Sequence, residues 1–173
     1  MIYFITGGER SGKSRFAQQL ALEMTPTPAY LATARRWDQD FEKRIKHHQQ
    51  ERDDRWINIE EEIKIGDIVT KSNVILLDCV TLWLTNIFSD RRFEVDSSLT
   101  FAKVELAKAF SLEKNWIIVS NEIGMGGHAT TDIGRKFVEL QGWINQHIAK
   151  HADHVYLMVS GIPLKVKPQR SIP

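Results

Sequence analysis

Gly7-Gly-Glu-Arg-Ser-Gly-Lys-Ser14 follows directly on the apolar run Ile2 to Ile5. Glycines let backbone N–H groups curl toward an anion with no Cβ in the way, and a lysine and a serine follow at once. The spacing is that of a G-x-x-x-x-G-K-[ST] phosphate-binding loop. Its context agrees, because an apolar strand delivers the loop and a helix is expected from Lys13, with Phe16, Ala17, Leu20, Ala21 and Met24 on one stripe. A helix N-terminus adds partial positive charge at that point. In such a loop Lys13 reaches the β- and γ-phosphates, and the Ser14 hydroxyl helps to hold Mg²⁺. A second acid fits the same chemistry. Val74-Ile-Leu-Leu-Asp78 is an apolar strand ending in a carboxylate, the form in which an acid orients Mg²⁺ or its water shell. A turn residue or helix cap reads the same way in isolation. Beside the phosphate loop, Asp78 joins Ser14 as a candidate metal ligand and nucleotide contact.

The segment Arg35 to Arg55 interleaves basic residues (Arg35, Arg36, Lys43, Arg44, Lys46, Arg52, Arg55) with acids (Asp38, Asp40, Glu42, Glu51, Asp53, Asp54). For most of these charges the reading is a solvated helix laced with surface ion pairs. The pair His47-His48 stands apart. On a helix from Asp40 to Arg52, Phe41, Ile45, His48 and Arg52 share one stripe, while Arg44, His47 and Glu51 share a neighbouring one. His48 then leans toward the packed side, and His47 sits among charged groups, free to meet a ligand. Adjacent helical histidines point about 100° apart and no well-spaced Cys/His partner follows, which argues against a metal site there. Glu122, in Asn121-Glu-Ile-Gly-Met-Gly126, lies just past an expected strand, where α/β folds place their sites; loop stabilisation is an equal reading.

The elements that position these residues alternate. Apolar runs at Ile2–Thr6, Ala29–Thr33, Val74–Asp78, Trp116–Ser120 and His154–Ser160 predict strands buried on both faces. Between them, Ser97 or Ser98 is placed to cap a helix through Leu99, Ala102, Leu106 and Phe110, and Ile133, Phe137, Leu140, Ile144 and Ile148 form a long helical stripe. The alternation predicts one α/β domain over residues 1–173, a mostly parallel sheet with helices on both faces. The 173 residues are 42% hydrophobic and 26% charged, with a net charge of +1, so a broad basic surface for nucleic acid is not expected. Cys79 is the one cysteine and is expected as a small buried hydrophobe. No charged-then-apolar leader and no apolar stretch of membrane-spanning length is evident, which predicts a soluble, cytoplasmic protein with no membrane span.

Taken together, these segments make a resemblance that covers nearly the whole chain. Thr6-Gly-Gly-Glu-Arg-Ser-Gly-Lys-Ser-Arg15, Tyr30-Leu-Ala-Thr33, Arg44-Ile-Lys-His-His48 with Trp56, Leu76-Leu-Asp-Cys-Val-Thr81, Thr85-Asn86, Ser120-Asn-Glu-Ile-Gly-Met-Gly126 and Val159-Ser-Gly-Ile-Pro-Leu-Lys-Val-Lys167 occur in that order. The sequence resembles the bifunctional adenosylcobinamide kinase/adenosylcobinamide-phosphate guanylyltransferase family of cobalamin (vitamin B12) biosynthesis. The resemblance implies a P-loop NTPase fold of the RecA-like type and two reactions. ATP or GTP phosphorylates adenosylcobinamide. GTP then gives GMP to adenosylcobinamide phosphate through a histidine–GMP intermediate, yielding adenosyl-GDP-cobinamide and pyrophosphate. The matching histidine is His47, as the helical-face argument also has it. Implied nucleotide contacts are Gly7, Gly8, Glu9, Arg10, Ser11, Gly12, Lys13 and Ser14, then Thr33, Ala34 and Arg35, then Glu51, Arg52, Asp53, Asp54 and Glu60. Asp78 completes that set. Mg²⁺ is the implied cofactor and a homotrimer the implied assembly.

Three rival readings share part of this pattern. A P-loop kinase of another small metabolite needs the loop and Asp78 but not His47. A guanylyltransferase with weak or absent kinase activity keeps both. A non-catalytic nucleotide-gated module binds GTP without forming an adduct.

Overall fold

A computed structural model describes residues 1–35 and 53–168. The elements are β1 (Ile2–Gly7), α1 (Lys13–Met24), β2 (Ala29–Ala32), β3 (Ile57–Glu60), β4 (Val74–Asp78), α2 (Val80–Asp90), α3 (Val95–Ser111), β5 (Asn115–Asn121), α4 (Asp132–His151), β6 (His154–Val159) and β7 (Ile162–Lys167). The strands form one sheet in the order β3-β2-β4-β5-β1-β6-β7. Every neighbouring pair is parallel except β6 and β7, an antiparallel hairpin at one edge.

Alternation along the central strands explains why they read as unbroken apolar runs. Phe4, Leu31, Ile75, Leu77, Trp116 and Ile118 enter the core beneath α2, α3 and α4. Their neighbours Ile5, Tyr30, Leu76, Ile117 and Val119 enter a second core, against Ala17 and Ala21 of α1. Successive side chains point to opposite faces, so a sheet covered on both sides needs apolar residues at every position. The expected α/β class and five expected strands are therefore present.

Some expectations need correction. The helix placed after Ser97 or Ser98 begins at Val95 with Glu94 at its N-cap. Ser98 is fully buried and donates from Oγ to the Glu94 carbonyl at 2.6 Å, so it back-bonds inside the first turn instead of capping it. Ile133 begins the stripe of α4 but is 51% exposed, whereas Leu140, Ile144 and Ile148 are buried. The helix expected over Asp40 to Arg52 lies outside the described residues. Two strands and one helix went unforeseen: β3, β7 and α2, the last of which starts at Cys79 without any side-chain cap.

Register brings the site to one edge. Glu60 pairs with Ala32, Ala32 with Asp78, Asp78 with Val119, and Val119 with Ile5. Behind that edge, fully buried Asn86 of α2 donates through Nδ2 to the Thr33 carbonyl (2.8 Å) and the Glu62 carbonyl (3.1 Å). It ties the ends of β2 and β3 to the helix. Asn86→Ala strands both carbonyls and should cost about 2 kcal/mol, because a buried group left unsatisfied carries its full desolvation penalty. A urea melt with unchanged slope and a lowered midpoint is the expected result; a shift below about 0.5 kcal/mol would mean that water replaces the amide.

Candidate functional site

The phosphate loop leaves β1 through a backbone crowded by its neighbours. A Cβ on Gly7 would lie 2.6 Å from the Met158 carbonyl oxygen of β6, closer than real contacts allow. Gly12, at φ +92°, would place a Cβ 3.1 Å from Gly161 Cα in the β6–β7 turn. That turn has positive φ at both Ser160 and Gly161, the backbone of a tight two-residue hairpin, and its Gly161 N–H donates to the Ser11 carbonyl at 2.9 Å. Ser11 N–H closes the loop onto the Gly8 carbonyl at 3.3 Å. The two glycines are thus demanded by close approach as well as by the anion.

Lys13 opens α1 and is buried at 7% exposure. Its Nζ donates to the Gly8 carbonyl at 2.6 Å and lies 3.5 Å from Ser11 Oγ. Burial pulls the ammonium below the ordinary lysine value, and the negative charges of Asp78 and Glu9 push back. Glu9 and Arg10 are exposed, Arg10 with φ +54°, while Ser14 is half-buried on the first turn of α1.

Asp78 ends β4, separated from β1 by β5. Its Oδ2 accepts the Tyr30 hydroxyl at 3.0 Å. Next to it, the Thr33 hydroxyl donates to the Cys79 carbonyl at 2.9 Å. Cys79 is buried as expected, and burial with the Asp78 charge pushes its thiol up to about 12, so it is no nucleophile at neutral pH. Glu122 N–H donates to the Gly7 carbonyl at 3.0 Å, and Glu122 Oε1 takes the Gly124 N–H at 2.9 Å. Its carboxylate thus stabilises its own loop. Asn121 N–H donates to Thr81 Oγ1 at 3.1 Å, and the Asn121 carbonyl accepts Asn145 Nδ2 at 3.2 Å.

Of the remaining expected contacts, some lie at this edge and some do not. Thr33, Ala34 and Arg35 follow β2 at the same edge, with Glu60 beside them at the end of β3. Arg35 is gripped by Glu62 (2.6 Å) and by both Asp90 oxygens (2.8 and 3.1 Å), which raise its already high pKa. Asp53 and Asp54 precede β3, at the end away from Glu60. Asp53 pairs with Arg55 at 2.6 Å beside a groove of about 400 Å³ along α1. His47, Glu51 and Arg52 lie outside the described residues. The structure therefore brings together Gly7 to Ser14 and Asp78, with Thr33 bonded to the Cys79 carbonyl beside them, whereas the Arg35 side chain is tied to Glu62 and Asp90. It adds Tyr30, Thr81 and Asn86, whose hydroxyl or amide type was the only local signal.

The donor set fits Mg²⁺. Ser14 and Asp78 offer hard oxygens, and among the described residues no group of three or more His, Cys, Asp or Glu side chains is placed to cage a metal. Mg²⁺ bound with nucleotides needs no such cage, because one or two protein oxygens, phosphates and waters complete its octahedron.

A family model described as cobinamide kinase / cobinamide phosphate guanyltransferase matches residues 3–166. The chain belongs to this family. Similar members include the bifunctional adenosylcobalamin biosynthesis protein CobP of Pseudomonas aeruginosa, 34% identical over 94% of this chain and 95% of the relative. The bifunctional adenosylcobalamin biosynthesis proteins CobU of Escherichia coli K12 and Salmonella typhimurium LT2 are 31% and 32% identical, each over 96% of this chain and 100% of the relative. Among solved structures, the flagellar accessory protein FlaH of Methanocaldococcus jannaschii superposes with a TM-score of 0.48 at 16% identity, over 96% of this chain and 77% of that one.

In this member of the family, Lys13 should serve binding at the expense of stability. Lys13→Met should weaken GTP binding about 10- to 100-fold, the scale for losing a hydrogen bond to a charged group, while leaving the unfolding midpoint unchanged or higher. The sign with pH follows. A lysine whose native pKa is lowered binds its proton less well folded than unfolded, so stability rises as pH climbs from the lowered value toward 10.5. Urea midpoints across that window should rise in the wild type relative to Lys13→Met; a parallel pair of curves would show the ammonium to be at ease in the fold.

Proposed function

We propose that this protein phosphorylates adenosylcobinamide with ATP or GTP and then transfers GMP from GTP to the adenosylcobinamide phosphate so formed. The observation that carries the reading is the phosphate loop with Lys13 and Asp78 at one sheet edge, in a chain that the family model spans from residue 3 to 166. In the first reaction the substrate hydroxyl oxygen bonds to the γ-phosphorus, the bridging bond to the β-phosphate breaks, and the hydroxyl proton leaves to a base. The loop amides, Lys13 and Arg10 face the charge on the phosphate oxygens. Ser14 and Asp78 would hold Mg²⁺, which would supply charge neutralisation at the same triphosphate.

In the second reaction the nucleophile is His47. A neutral imidazole nitrogen, with an unperturbed pKa near 6.5, attacks the α-phosphorus and expels pyrophosphate as the ring loses a proton. A phosphate oxygen of adenosylcobinamide phosphate then attacks that phosphorus, and the P–N bond breaks to give adenosyl-GDP-cobinamide. Thr33, Ala34 and Arg35 are assigned as nucleotide contacts, and Glu51, Arg52, Asp53, Asp54 and Glu60 to holding the guanine nucleotide. Net charge near zero supports small-molecule substrates with no nucleic acid. No helix among the described residues is long and apolar enough to cross a membrane, which accords with a cytoplasmic enzyme. A homotrimer is the assembly of this reading. Ile162, Leu164 and Val166, 46–63% exposed on edge strand β7, are apolar surface for a neighbouring subunit to cover.

The test is incubation with Mg²⁺ and α-labelled GTP, followed by denaturing electrophoresis beside His47→Ala and His48→Ala variants. An acid-labile, alkali-stable label lost only in His47→Ala is expected. Label retained in His47→Ala moves the nucleophile elsewhere, and an unlabelled wild type that still binds GTP leaves a plain P-loop kinase.

A further inference from the structure

Tyr30 carries a polar atom into an apolar wall. It is 5% exposed and shares the α1-side core with Leu76, Ile117 and Val119, none of which offers a polar side-chain group. Its ring meets Trp56 edge to face, with centroids 5.8 Å apart and planes at 84°, and Trp56 is itself 7% exposed. A phenylalanine would fill the same volume. The hydroxyl therefore has to be explained, since hiding one without a partner costs about 1–3 kcal/mol.

Register supplies the explanation. Tyr30 pairs with Leu76 across β2 and β4, and Ala32 with Asp78. Asp78 is thus the diagonal neighbour of Tyr30 on the same face, a separation that a long aromatic side chain spans. The bond from Tyr30 Oη to Asp78 Oδ2, 3.0 Å, is the result.

That bond resolves a conflict within the site. Lys13 and Asp78 carry opposite charges at this edge, and opposite charges attract. The ammonium instead bonds to the Gly8 carbonyl, while Asp78 is held by the tyrosine. Neither charge is consumed by the other. The lysine stays available to phosphate oxygens, and the remaining lone pairs of the carboxylate stay available to a cation or its waters.

We propose that Tyr30 is a positioning residue for the metal-bound nucleotide, its hydroxyl aiming the Asp78 carboxylate. The inference rests on the Mg²⁺-nucleotide reading given above. Partners of this kind, one shell behind a metal ligand, commonly change metal affinity 10–100-fold when removed.

The experiment compares the wild type with Tyr30→Phe in calorimetric titrations with α,β-methylene GTP, which cannot release its GMP. Each is run in EDTA and over a series of Mg²⁺ concentrations. The expected result is equal affinity in EDTA and a Mg²⁺ half-saturation raised about tenfold in Tyr30→Phe. An unchanged Mg²⁺ dependence overturns the proposal. So does an equal loss of affinity with and without Mg²⁺, which would make the hydroxyl a general support of the sheet edge. A wild type that binds no nucleotide at all overturns the functional reading itself, and is thereby told apart from failure of the Tyr30 inference.

Discussion

Burial strips water from the Lys13 ammonium, and the loop returns only the Gly8 carbonyl at 2.6 Å and a Ser11 hydroxyl at 3.5 Å. A cation held this way is under-solvated and so disposed toward phosphate oxygens, which can satisfy it better than its resting partners do. The neighbouring structure preserves that condition. Crowding from Met158 excludes a side chain at Gly7, and the positive φ of Gly12 disfavours one there, which keeps the loop narrow around the lysine. The nearest acid of the metal pair is turned to a tyrosine. Even the thiol next to that acid stays neutral, so it adds no competing anion.

Such a site needs a stiff edge behind it. At the end of β5, Ser120 Oγ donates to Asn145 Oδ1 at 2.7 Å, and Gln141 Nε2 donates to Ser120 Oγ at 2.9 Å and to Asn145 Oδ1 at 3.0 Å. All three residues are buried. Asn145 then passes on to the Asn121 carbonyl, the residue before Glu122, whose own N–H holds the Gly7 carbonyl. A chain of hydrogen bonds thus runs from α4 through β5 to the start of the phosphate loop. In a low-dielectric interior such links reinforce one another, and each directional bond limits drift that apolar packing alone would permit. Asn86 does the same for β2 and β3 on the other side.

How much of this was legible beforehand depended on whether the signal was local. The phosphate loop was, because its chemistry requires fixed residue types within eight positions. The doubly buried strands were, because a sheet covered on both faces leaves no polar positions in Val74 to Leu77 or Trp116 to Val119. Helix α2 was legible but went unread: Val80, Trp83, Leu84, Ile87 and Phe88 recur at helical spacing and are buried, while Thr81, Thr85 and Ser89 line the part-exposed side. Edge strands β3 and β7 were not, since exposed Ile57, Ile162 and Leu164 follow no burial pattern. Tyr30 and Asp78 lie 48 residues apart, and their bond exists only because β2 and β4 pair in one register. His47 lies outside the described residues, so that part of the reading stands on sequence alone.

A kinase step and a guanylyl transfer break different bonds of the same triphosphate, so one loop can serve both only if its grip ignores which bond breaks. Backbone amides and a helix N-terminus meet that condition, because they answer to phosphate oxygens and to no particular leaving group. The placement of side-chain charge agrees. Arg35 is neutralised by Glu62 and Asp90, and Arg55 by Asp53, so these cations shape the β2–β3 flank without adding net charge to the phosphates. Positive charge is left where Lys13 and Arg10 accompany the start of α1. Discrimination between the γ- and α-phosphorus then falls to the nucleophiles, which can approach from different sides of a common cradle. A cradle that grips only phosphate oxygens leaves both phosphorus atoms of the triphosphate open to attack, each by its own nucleophile.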